Sequence, residues 1–248
     1  MRIDSVRRST RWVAALGTLF LTTLSACGTA SSGAAPGHHG PAAPTASGSA
    51  AAPDPARIPG VGSHLYARIP ARSRQVVAVY GEGRDSAESE VVLYVRRAGG
   101  WYKEGGWAAH NGRRGWTLDH HEDDKRSPVG VFTLSAAGGT FADPGSKLPY
   151  DHNIYAYASP KEWPKAYQHD FGYVIAIDYN RVPGTPPRDG TRPSGAAKGG
   201  GIWLHLDHGS GTSACVSMPR SAMETLLRTL DPARHPVVVM GDRADLGA

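Results

Sequence analysis

The chain has 248 residues, 40% of them apolar, which is enough for one large domain or two small ones. Its formal charge of +5 shrinks once residues 1–26 are set aside: they hold four Arg and one Asp, so the remainder carries 23 basic and 21 acidic residues, a net +2. So small an excess excludes charge as an argument for a nucleic-acid partner.

Arg2, Arg7, Arg8 and Arg11 precede an apolar stretch, 12–24, that is too short for a permanent membrane helix. This is the pattern of a secretory signal peptide spanning 1–26. It ends in Leu24-Ser25-Ala26-Cys27-Gly28, which resembles the bacterial lipobox. That resemblance implies cleavage before Cys27, lipidation of its thiol and anchoring to the outer face of the cell membrane. From 28 to 62, 27 of 35 residues are Ala, Gly, Ser or Pro. Such a composition cannot bury a core and predicts a flexible tether spanning on the order of 30 Å, so that 27–62 comprise the cysteine that the lipobox resemblance implies is lipidated and the tether behind it. The catalytic domain is expected from 63 to 248.

Short β-branched runs at 75–82, 90–97, 128–134, 173–180, 201–207 and 236–242 are separated by Gly, Pro and Asp clusters, which predicts a mainly β domain. One helix is legible. Ser221 and Glu224 form a capping-box pattern, Met223, Leu226, Leu227 and Leu230 an apolar stripe, and Asp231-Pro232 a stop. The irregular stretches 135–170 and 181–198 are long enough to be binding loops.

The chemistry concentrates in "GGGIWLHLDHGSGTSACVSMP", 199–219. With Cys27 taken by lipid, Cys215 is a leftover thiol, either a small buried hydrophobe or a nucleophile that needs a base beside it. Alternation along the strand puts Ile202, Leu204 and Leu206 on one face and Trp203, His205 and Asp207 on the other. His205 is then the base on a rigid element, Asp207 a group to orient it, and His208 the start of a solvent-facing turn. A helix beginning near 218–221 is expected to aim its dipole at Cys215, and the amides of Ala214 and Cys215 to form an oxyanion hole. The rival is a zinc site built from His205, His208 and either an acid or Cys215, with the "DHHEDD" cluster at 119–124 as a further source of ligands. Against it, a strand directs positions 205 and 208 to opposite sides.

The succession of strand, His205, short turn, Thr212-Ser213-Ala214-Cys215 and Val216-Ser217 resembles the YkuD-type L,D-transpeptidase domain, in its short-spacer branch. "EDDKRSPVGVFTL" (122–134), "LPYDHN" (148–153) and "YVIAIDYN" (173–180) fall in the family's order, so the likeness spans roughly 75–241. It implies a mixed β-sandwich with one or more short helices, no metal and no cofactor, and it leaves the oligomeric state open. It also implies Cys215 as acylated nucleophile, His205 as base, and peptidoglycan stem peptides as partners. Cys215 would attack the carbonyl of the L-centred third residue, release D-alanine and pass the acyl group to a neighbouring stem as a 3→3 cross-link. With water as acceptor the protein is an L,D-carboxypeptidase. A catalytically inactive wall-binding module is the third reading.

Glu122, Asp124, Pro128 and Gly130 match a segment expected to be structural. Two positions depart from the family. Ala214 stands where the family has Gly, a strain if that backbone is left-handed. Ser217 stands where many members have Arg, which leaves Lys198 and Arg220 as candidates to hold a substrate carboxylate.

Overall fold

The computed structural model describes residues 56–248; the signal peptide, Cys27 and the tether up to residue 55 lie outside the described residues. In chain order the strands are β1 (Gln75–Gly81), β2 (Glu88–Arg97), β3 (Gly100–His110), β4 (Trp116–Thr117), β5 (Ser127–Pro128), β6 (Gly130–Gly139), β7 (Tyr150–His152), β8 (Val174–Ile177), β9 (Trp203–Leu206), β10 (Val216–Met218) and β11 (Val237–Asp242). The helices are α1 (Ser63–Tyr66), α2 (Arg220–Thr229) and α3 (Arg243–Gly247).

Nine strands form one sheet in the order β11-β1-β2-β3-β10-β9-β8-β6-β7, and β6 also pairs with β11, so the sheet closes on itself. It is mixed: β1 with β11, β9 with β10 and β6 with β7 run parallel, and the other pairs antiparallel. The mainly β fold with short helices expected from the sequence is the one observed. Closure turns the two halves of the sheet toward a shared core, as the layers of a sandwich are.

All seven residues of β1 are buried. A strand reads as a continuous apolar run when both its faces are covered. Ile58, Val61 and Leu65 from the chain ahead of β1, with Leu246 of α3, belong to the same apolar cluster. The Gly62 amide donates to the Leu246 carbonyl at 2.7 Å and the Tyr80 hydroxyl to the Pro59 carbonyl at 2.6 Å. Among the described residues, Ile58 and Val61 are therefore part of the packed body, although they precede the expected boundary at 63. Ile58 and Val61 are the apolar side chains of a stretch otherwise rich in Ala, Gly, Ser and Pro.

Helix α2 buries its expected stripe, with Met223, Leu226 and Leu227 fully covered and Leu230 just beyond. Each such side chain contributes about 1.5–3 kcal/mol. Its start differs from the capping box. Pro219 takes the N-cap position, Ser221 lies inside the helix, and Glu224 is drawn to Arg220 and Arg228 one turn to either side. Among the described residues no helix is long and apolar enough to cross a membrane.

Candidate active site

The cleft is assembled from the parallel pair β9 and β10, in which Ser217 lies opposite His205. Gly199 and Gly201 lead into β9 with φ of +66° and +64°, the left-handed region that favours glycine. A Cβ on Gly199 would stand 2.7 Å from His120 Nε2, so this approach is open only to glycine. Cys215, immediately before β10, then meets the start of β9: its Sγ accepts from the Trp203 amide at 3.4 Å and lies 3.8 Å from the Gly201 carbonyl. Cys215 and His205 line one cleft of about 430 Å³, whose walls include Trp163, Tyr167 and Phe171. The stretch 135–170 therefore does contribute to the cleft. The 181–198 stretch does not line it.

The turn carrying Cys215 is fixed by two hydroxyls. Ser127 Oγ donates to the Ala214 carbonyl at 2.6 Å and accepts from the Gly112 amide at 2.9 Å, and Thr212 Oγ1 donates to the Cys215 carbonyl at 2.6 Å. This explains the 122–134 segment. Asp124 caps its own loop through the His121 and Arg126 amides, Glu122 pairs with Arg192, and Ser127 at the loop's end holds the nucleophile turn. Ala214 lies outside the left-handed region, so its Cβ brings no backbone strain. The amides of Ala214 and Cys215 donate to no backbone carbonyl, and the Cys215 amide acts on its own sulfur.

Burial pushes the Cys215 thiol up to about 11, with the Asp170 charge adding to it and the Trp203 amide opposing. Burial likewise pushes His205 down to about 4, against its hydrogen bond to the Leu206 carbonyl. At neutral pH the pair is thiol and neutral imidazole. His205 Nδ1 is 2.8 Å from the Leu206 carbonyl oxygen, so Nδ1 carries the proton and Nε2 the lone pair. The helix dipole does not help as expected. Cys215 and the first turn of α2 lie at opposite ends of β10, on the order of 13 Å apart along extended chain, and a helix-terminus effect fades within a turn.

Three further expectations are corrected. Asp207 does not orient His205, although it shares that face. Its Oδ1 is taken by His110 Nδ1 at 2.7 Å and Ser217 Oγ at 2.8 Å, and its Oδ2 by the Gly209 amide at 3.0 Å. The Leu206 carbonyl does the orienting instead. His208 does not swing into solvent: its side chain is 4% exposed, Nδ1 is 2.9 Å from Asp170 Oδ2, and Tyr167 stacks on its ring at 4.1 Å. Because β9 ends at Leu206, alternation stops there, and the His205 and His208 rings lie nearly parallel with centroids 6.3 Å apart in the same cleft. Among the described residues no group of three His, Cys, Asp or Glu is placed to hold a metal ion.

Lys198 and Arg220 stand away from the cleft. Lys198 is paired with Asp119, while Arg220 is paired with Glu224 and lies over Phe141 at 4.9 Å. The cation that does line the cleft is Arg113, exposed and without a side-chain partner. Its amide donates to the Thr212 carbonyl at 2.8 Å, which ties it to the nucleophile turn. Nothing in the sequence near 113 singled it out, nor Asp170 or Ser127 as a site residue, because each reaches the site only through folding.

Solved structures similar to the chain include Bd1075 from Bdellovibrio bacteriovorus, at 18% identity and a TM-score of 0.37. They also include the helical cell shape determining protein Pgp2 from Campylobacter jejuni, at 15% and 0.39. Each alignment covers 68% of this chain and 48% of the other, so the chain spans about half the length of these proteins. No curated protein sequence matches it. The model of the L,D-transpeptidase catalytic domain, YkuD, matches residues 86–239, well over half of the chain and the whole of the cleft-forming sheet from β3 to β10, and the chain belongs to that family.

Proposed function

We propose that the protein is a peptidoglycan L,D-transpeptidase that works through a thioester on Cys215. The observation that carries this reading is that Cys215, at the entry to β10, and His205, on the adjacent parallel strand β9, line one cleft. A buried thiol near 11 is a poor nucleophile by itself. Attack on the carbonyl of the third stem residue must therefore be coupled to proton transfer from Sγ to His205 Nε2. The Ala214 and Cys215 amides receive the developing oxyanion. His205 then returns its proton to the departing D-alanine amine, which leaves the acyl group on sulfur. Transfer to an amine of a second stem gives a 3→3 cross-link, and transfer to water gives the carboxypeptidase product. The backbone at Ala214 is unstrained, so its departure from the family's Gly gives no support to the inactive-module reading.

Incubating the protein with disaccharide tetrapeptide and weighing the products tests the reading. A cross-linked dimer lacking one alanine is expected. Trimmed tripeptide alone would make the protein a carboxypeptidase, and unchanged substrate would return the inactive module. In the same assay Arg113, the free cation at the cleft, takes the terminal carboxylate that Lys198 and Arg220 cannot reach. Arg113→Ala should raise KM by about tenfold with little change in kcat. An unaltered KM would remove Arg113 from substrate binding.

The signal and lipobox lead us to place the enzyme on the outer face of the cell membrane, held by lipid on Cys27. Cys27→Ala should move the protein from the membrane fraction to the soluble fraction. Retention of the variant, with no lipid mass on the mature N-terminus, contradicts the anchor.

A further inference from the structure

The second half of a transpeptidation has a proton balance that one base does not meet. An acceptor amine arrives as an ammonium ion and ends as an amide, so it gives up two protons. The thiolate expelled from the tetrahedral intermediate takes back one, through His205. His205 offers a single nitrogen for this, since Nδ1 is committed to the Leu206 carbonyl. The other proton goes to solvent before the amine binds or to a second acceptor in the cleft.

The cleft contains one. His208 and Asp170 line the same cavity as Cys215, and both side chains are 4% exposed. His208 Nδ1 is 2.9 Å from Asp170 Oδ2, close enough for an ion pair but without hydrogen-bond geometry, and His208 Nε2 and Asp170 Oδ1 are likewise buried with no hydrogen-bond partner. A buried polar atom left unpaired costs free energy comparable to a lost hydrogen bond, so a ligand that supplies a partner to these atoms is favoured. The wall around it suits a cation on an alkyl chain: Tyr167 stacks on His208 at 4.1 Å, and Trp163 and Phe171 present further rings. The His205 and His208 rings stand nearly parallel with centroids 6.3 Å apart, so they serve neighbouring positions along the cleft and not one atom.

We infer that Asp170 and His208 form an acceptor subsite for a primary ammonium ion, in which His208 Nε2 removes the ammonium proton before the amine attacks the Cys215 thioester. This rests on the thioester reading above. The Asp170 carboxylate attracts the ammonium and stabilises the imidazolium formed when Nε2 takes the proton. The neutral amine then attacks the thioester carbon, the carbon–sulfur bond breaks, the second amine proton passes by way of His205 to sulfur, and His208 releases its proton to solvent.

The test separates the half-reactions of the full enzyme. Acylation is followed by intact protein mass with a stem tetrapeptide as donor, and transfer by product mass with a stem tripeptide bearing a free side-chain amine as acceptor. In His208→Gln and Asp170→Asn, transfer should fall about 10²-fold or more while acyl-enzyme still forms, so acyl-enzyme accumulates and the share lost to water rises. Hydroxylamine, uncharged at pH 7.5, has no ammonium proton to lose and should be acylated by both variants at the wild-type rate. That recovery would not follow from a disturbed fold. Equal losses in acylation and transfer, an unchanged ratio of transfer to hydrolysis, or failure of hydroxylamine to restore transfer would each overturn the acceptor pair. If the wild type itself forms no acyl-enzyme, the thioester reading falls first and the acceptor pair falls with it.

Discussion

A Cys215→Ala variant should take up no carbapenem, whereas the wild type gains one covalent equivalent confined to the peptide that contains Cys215. Nucleophile removal is the largest single loss a covalent enzyme can suffer, on the order of 10⁶-fold in comparable acyl-transfer machinery. It should cost little stability, because the Ser127 and Thr212 bonds that shape the turn go to backbone carbonyls. The pH dependence carries a further signature. With the thiol pushed up to about 11, the thiolate fraction grows about tenfold per pH unit across the neutral range. Alkylation of Cys215 by iodoacetamide should rise accordingly from pH 7 to 10. A rate already level below pH 7 would reveal a thiolate–imidazolium pair and contradict the neutral ground state.

The second large effect is at His205. His205→Ala should cut acylation by about 10²- to 10⁴-fold, the usual range for a lost general base. Because the neutral imidazole is the active form and its pKa is pushed down to about 4, wild-type acylation should hold as pH falls to about 5 and fail below it as Nε2 becomes protonated. His205 also packs edge-on against Phe171 with ring centroids 5.4 Å apart, so a melting curve must accompany the rate. Asp207→Asn separates the two roles. Asp207 ties β3 to β10 through His110 and Ser217, so its loss should lower stability by about 1–2 kcal/mol. It should leave acylation within about threefold of wild type. Wild-type acylation in His205→Ala would show that another group takes the thiol proton.

What the sequence disclosed was whatever lies close along the chain. β1, β2, β8 and β11 were legible because valine and isoleucine runs mark buried strands, and Cys215 and His205 because they sit ten residues apart on one motif. β3 was not legible: "GWYKEGGWAAH" holds three glycines and buries only Trp101 and Ala109, so it shows no clean alternation. The alternation that placed His205 correctly failed three residues later. The strand had ended, and the partner that holds His208 inside, Asp170, lies 38 residues upstream. Ser127 and Arg113 escaped for the same reason. A hydroxyl that holds a distant carbonyl, or a cation carried to a cleft on a loop, leaves no local pattern to read.

The central claim is a thioester between Cys215 and the truncated stem. The most direct measurement is the intact mass of the protein quenched in acid during turnover of disaccharide tetrapeptide. A gain equal to the substrate less alanine, located on Cys215 after digestion and absent from Cys215→Ala, is the predicted result. Cross-linked or trimmed product forming while Cys215→Ala remains active, or an adduct on any other residue, would contradict it.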